Sequence, residues 1–180
     1  YPGGGWALRY RDTQGEKNHY AAFSRTKRGA RFARRIKSLV TQLREQGATV
    51  SINSSVRNLR RGYLMWGSFE LSRAKSEKEV TDLAARLDRI NREHELNVPI
   101  KWSYEGDWRR TVEATREMAE VYDVVYATER GALKSSHYEG NAVDFTATGL
   151  PRKLRLRAPD GAVRTFDLRD PAHPRDLSLS

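Results

Sequence analysis

The sequence predicts an α+β fold, with helices packed on a mostly antiparallel sheet. Three observations carry that expectation. Segments with apolar residues at three- and four-residue steps interleave with short alternating or β-branched runs. The two kinds of segment follow no regular strand–helix–strand rhythm, which argues against a parallel sheet. Near the end, KLRLRA and AVRTFDL flank Pro159-Asp160-Gly161, a turn sequence that closes a hairpin.

Taken in order, WALRYR (6–11) alternates loosely and predicts an edge strand. From Lys27 to Gln46, Phe32, Ile36, Leu39, Val40 and Leu43 fall on one face of a helix, with Arg and Lys opposite, and Gly47 stops it. ATVSIN (48–53) reads as a short strand. A second helix runs from Leu59 to Ala74. Ser76 caps a third, with Glu79 three residues on completing a capping box, and its apolar face is Val80, Leu83, Ala84, Leu87 and Ile90. IKWSY (100–104) predicts a strand, and Asp107 caps a helix over 108–122. VVYAT (124–128) and NAVDFTA (141–147) predict two further strands before the terminal hairpin.

A chain of 180 residues supplies one sizeable core, so the sequence reads as a single domain over 1–180. Hydrophobic residues make up 38% and charged residues 31%, a polar but globular balance. The net charge of +10 predicts attraction to a polyanion: nucleic acid, anionic lipid or an anionic cell-wall polymer. The plainer alternative is that the basic residues solvate helix faces, as in KRGARFARRIK. The absence of cysteine excludes a disulfide framework and a thiolate metal site. It suits the cytoplasm and a bacterial cell envelope equally. No run approaches the roughly 18 apolar residues of a membrane span. The opening YPGGGW has no initiator Met and no signal-peptide pattern, and reads as a trimmed or processed start.

Residues 135–144, SSHYEGNAVD, raise the question of chemistry in a chain with four histidines. A β-turn followed by a buried strand explains them without a site. A metal site explains them too: His137 in a turn and Asp144 on the next strand converge on one ion if the turn folds back. Gly140 allows the close backbone approach, Ala142 leaves space, and Val143 and Phe145 face the core while Asp144 takes the other face.

Ser135, His137, Gly140, Ala142 and Asp144 form S-x-H-x-x-G-x-A-x-D, which resembles the signature of the D-alanyl-D-alanine peptidase-like zinc enzymes. HYEG followed by AVD is also similar to the zinc-binding turn of the hedgehog signalling domain, which shares their fold. A second element agrees. In these peptidases a strand leading into S-x-x-R precedes the zinc motif, and ATVSINSSVRN supplies Ser54 and Arg57 in that order. The resemblance implies Zn²⁺ held by His137 and Asp144, and a cleft into which Arg57 points to bind the substrate carbonyl or carboxylate. It also implies that Ser54 and Ser135 line the substrate site. A guanidinium suits the Arg57 role because its planar fork matches an oxyanion with two hydrogen bonds.

The sequence departs from the family pattern after Asp144. A third ligand, a His on a later strand preceded by a catalytic carboxylate, is implied, yet only His173 remains, in the proline-flanked DPAHPRD. Asp167 and Asp170 lie nearby as candidate acids. The family core continues through a further helix to that strand, and LSLS reads as the start of one. His94 continues the apolar face of the third helix and reads as a packed helix-end residue, and His19, in EKNHY, carries no spacing argument. Trp66, Trp102 and Trp108, with Tyr63 and Tyr104, line a sugar or peptide groove in one reading and fill the core in the other.

The function expected is a zinc-dependent peptidase acting on peptidoglycan stem or cross-link peptides in a bacterial cell envelope, periplasmic or secreted. The alternative is a non-catalytic zinc-binding module of the same fold that docks on the cell wall or on a protein. Nucleic-acid binding ranks last, because no DNA- or RNA-binding motif is present.

Overall fold

Seven helices and four strands make up the described part of the chain, which in this computed structural model is residues 1–12, 15–23 and 27–170. The fold is α+β, and both of its two-stranded sheets are antiparallel. The chain divides into two compact units: Tyr1–Asp12 with Arg57–Tyr138, and the described residues of 13–56 and 139–180.

The first unit is helical: α1 (Gly4–Ala7), α4 (Leu59–Leu71), α5 (Glu77–Glu93), α6 (Trp108–Tyr122) and α7 (Glu129–Leu133). Local chemistry sets the helix starts. Asn58, Ser76, Asp107 and Thr128 each cap a helix by accepting a hydrogen bond from a backbone N–H of the first turn. The Glu79 carboxylate reaches back to the N–H of Lys75, one residue before the cap. α4 lies at the centre, with Tyr63, Leu64, Trp66 and Leu71 all buried. The core reading of the aromatics therefore holds for Tyr63, Trp66 and Trp102. The Tyr63 hydroxyl accepts from Trp102 Nε1 at 2.6 Å and donates to the Leu87 carbonyl at 3.0 Å, so a buried polar group is satisfied on both sides.

Three strands expected in this unit do not form. WALRYR falls partly in α1 and then in a turn, with Tyr10 at φ 52°. IKWSY has the alternation of a strand: Leu96, Val98, Ile100 and Trp102 are buried, and the residues between them are exposed. Among the described residues no strand lies beside it, and side chains take up its backbone instead. The Asn91 amide pairs with both the N–H and the C=O of Val98, and Arg60 Nε donates to the Leu96 carbonyl. VVYAT also stays irregular, with Val125 and Tyr126 exposed.

The second unit contains α2 (Glu16–Phe23), α3 (Lys27–Glu45), β1 (Thr49–Ser54), β2 (Asp144–Thr148), β3 (Lys153–Arg157) and β4 (Val163–Asp167). Gly47, at φ 91°, turns the chain from α3 into β1. β1 pairs with β2, from Thr49 opposite Thr148 to Ser54 opposite Asp144, with an irregularity between Ile52 and Ser54. β3 and β4 form the expected hairpin, with Gly161 at φ 88° in its turn. Ile36, Val40 and Leu43 of α3 bury against Val50 and Leu154.

α3 also closes the free edge of the hairpin. The Gln42 side chain donates to the Arg157 carbonyl and accepts from the Arg157 N–H, at 3.3 and 2.6 Å. Gln46 does the same for Arg155, at 2.7 and 2.9 Å. Four helical residues rise about 6 Å and two strand residues about 6.6 Å, so the two amides match the strand repeat. An edge that would otherwise pair with another chain is thereby covered. No helix of the described residues is long and apolar enough to cross a membrane.

Candidate metal and substrate site

The turn that carries His137 is built by Ser135. Its Oγ accepts from the His137 N–H at 3.3 Å, and its carbonyl accepts from the Tyr138 N–H at 3.0 Å, a local serine turn. The His137 carbonyl in turn accepts from the Arg57 N–H at 3.2 Å. Two residues that the resemblance singles out, 80 positions apart in sequence, are thus joined through their backbones in the first unit. Tyr138 anchors the end of the turn by donating to the Ala132 carbonyl at 2.8 Å. Its hydroxyl sits over Gly62 of α4, where a Cβ would meet the ring Cζ at 2.9 Å. Burial pushes the Tyr138 hydroxyl up to about 12, with Arg57 opposing the shift and Asp12 adding to it.

Arg57 immediately precedes the Asn58 cap of α4. Its guanidinium and that of Arg61, one helical turn on, both face the Asp12 carboxylate, with Nε to Oδ2 distances of 3.6 and 3.3 Å. Arg61 donates to the Ala7 carbonyl at 3.2 Å and lies over the Tyr122 ring. The Asp12 side chain is 11% exposed and those of Arg57 and Arg61 are 22% and 18% exposed. Arg57 and Arg61 thus share the Asp12 carboxylate in a half-dry setting, where the attraction between opposite charges is stronger than at an open surface. Sequence reasoning missed Asp12 and Arg61. Arg61 follows Arg57 by four, a helical step that was legible, whereas Asp12 is remote and carries no local signal.

The second unit holds the other motif residues. Asp144 opens β2 and is exposed, with Val143 and Phe145 turned to the apolar side, the alternation expected. Ser54 ends β1 directly opposite Asp144, so these two residues are brought together by sheet register. Gly140 has φ 69°, a left-handed conformation, and a Cβ there would meet only ordinary contacts at 3.7 Å or more. The backbone conformation, rather than space, is what calls for glycine.

His19 is a buried residue of α2, 2% exposed, with Nδ1 2.6 Å from the hydroxyl of the fully buried Ser55. The pair ties α2 to the segment after β1. His19, Ala22 and Phe23 at three- and four-residue steps are the helical signal that the sequence reading passed over. His94 terminates α5 as its C-cap, the helix-end place expected, but it is exposed rather than packed on the apolar face. His173 lies outside the described residues. Among those described, no group of three or more His, Asp or Glu side chains is placed to hold a metal ion.

No protein-family model matches the sequence, and no curated protein or solved structure matches it.

Proposed function

We propose that this chain is a zinc-dependent peptidase of the D-alanyl-D-alanine peptidase-like type, with the fold shared by the hedgehog signalling domain. Its substrates in this reading are peptidoglycan stem or cross-link peptides of a bacterial cell envelope. The observation that carries the proposal is the motif Ser135-x-His137-x-x-Gly140-x-Ala142-x-Asp144. An imidazole nitrogen and a carboxylate oxygen are ordinary zinc donors, and the left-handed backbone at Gly140 suits the turn between them. His137 and Asp144 would hold the metal, with His173, a group of another chain, or water completing the shell.

When bound, zinc supplies Lewis acidity and a water acidic enough to ionise near neutral pH. The rest falls to the chain. Arg57 binds the substrate carbonyl or carboxylate through its guanidinium and offsets the charge that develops there. Asp12 lies beside that guanidinium and restrains it. Ser135 fixes the turn through the His137 N–H, and Ser54 borders Asp144.

Metal analysis of purified protein, with zinc titrations of the wild type, His137→Ala and His173→Ala, tests the metal claim. Bound zinc that is lost in His137→Ala supports it, and no zinc together with an unchanged thermal midpoint in His137→Ala refutes it. Equal affinities for wild type and His173→Ala exclude His173 as a ligand. Incubation with purified peptidoglycan tests the activity: released muropeptide fragments support the peptidase. Retention without cleavage assigns the chain to non-catalytic binding modules of this fold.

A further inference from the structure

The second unit has a groove of about 740 Å³ between α3 and the terminal hairpin, whose lining includes Arg34, Lys37, Ser38, Thr41, Arg155 and Arg157. The α3 members recur at three- and four-residue steps and so share one exposed face. On β3, Leu154 and Leu156 turn to the apolar side, which leaves Arg155 and Arg157 on the other. Among the described residues that line it, Glu45 is the one carboxylate, against four cations. Among the described residues, none of those four cations has a carboxylate partner. The Gln42 and Gln46 amides that border the groove are taken up by the β3 backbone. What the groove offers a ligand is therefore exposed cations with hydroxyls beside them.

We propose that this groove binds a flexible polyanion with phosphodiester charges and no bases, a polyol-phosphate chain. Guanidinium forks match phosphate oxygens two at a time, which suits Arg34, Arg155 and Arg157. The cations recur about one helical turn apart on α3 and about 6.6 Å apart on β3, a repeat that meets repeated charge along a linear chain. The described lining residues include no aromatic side chain on which a base would stack, which disfavours single-stranded nucleic acid. The inference deepens the anionic-polymer side of the cell-wall reading and uses none of its zinc chemistry.

The test is binding of a fluorescent glycerol-phosphate oligomer, in the presence of chelator, against oligodeoxythymidylate and duplex DNA of matched charge. The proteins are the wild type, Arg155→Gln/Arg157→Gln, Arg34→Gln/Lys37→Gln, and Arg116→Gln/Arg130→Gln as a first-unit control of equal charge change. All replace exposed side chains, and the β3 variant keeps the backbone pairing to Gln42 and Gln46. Both groove variants should lose about tenfold in affinity, with a salt slope reduced by about one per lost phosphate contact, while the control changes less than about threefold. Equal losses in groove and control variants overturn the site. Tighter binding of either nucleic acid than of the glycerol-phosphate oligomer overturns the ligand class. Loss of zinc binding or peptidase activity elsewhere leaves both measurements intact, so failure of the zinc reading is distinguishable from failure of this one.

Discussion

Replacing Gln46 by alanine should release one residue of the β3 edge and leave its neighbour held. Gln46 makes two hydrogen bonds to Arg155, to its N–H at 2.9 Å and its C=O at 2.7 Å, and Gln42 makes the same pair to Arg157. Each such bond contributes about 0.5–1.5 kcal/mol net, and water replaces part of that at an exposed edge. The expected local loss is therefore about 1–2 kcal/mol, which corresponds to roughly tenfold faster opening. Amide hydrogen exchange read residue by residue is the assay. In the wild type, the Arg155 and Arg157 amides should be protected although no strand of the described residues lies on that side of β3. In Gln46→Ala, the Arg155 amide should exchange roughly tenfold faster, and the Arg157 amide should change less than about threefold. Gln42→Ala should reverse the pattern. If the Arg155 amide exchanges at the wild-type rate in Gln46→Ala, the amide pairing is not what protects the edge.

Gly67→Ala should destabilise the first unit by about 1–3 kcal/mol, measured as a shift in urea midpoint, because a Cβ there would meet Trp102 Cζ2 at 2.5 Å and the ring is locked in the core. Asp12→Asn should cost about 1–3 kcal/mol by the same measurement, since it leaves two partly buried guanidiniums without their shared carboxylate, and Arg61→Met on that background should recover part of the loss. Tyr138 gives a pH dependence. Its folded value of about 12 lies above the ordinary 10.0, so the folded protein keeps a proton that the unfolded chain releases. Its contribution to stability is complete below pH 10 and is lost as the pH climbs towards 12. Alkaline unfolding followed by circular dichroism should be shallower in Tyr138→Phe across that window, and an unchanged curve would refute the assignment.

What the sequence determined alone was whatever depends on neighbours a few residues away. α6 spans 108–122, the range read from its Asp107 cap and apolar spacing, because a side-chain cap and a helical stripe are both local. The terminal hairpin was legible for the same reason, with Asp160 and Gly161 in its turn. The alternating burial around IKWSY was legible too. That it is not a strand was not, because strand identity depends on a partner's backbone, and here the Asn91 and Arg60 side chains fill that place. In the candidate site, the residue types and spacing of His137, Gly140 and Asp144 stand in the sequence. Tertiary structure decided, within each unit, which remote side chains meet. Asp12 joined Arg57 and Arg61, His19 came to rest against Ser55, and Ser54 met Asp144 through sheet register. Each of these contacts closes a loop of tens of residues, and no local pattern marks which remote group will be at its other end.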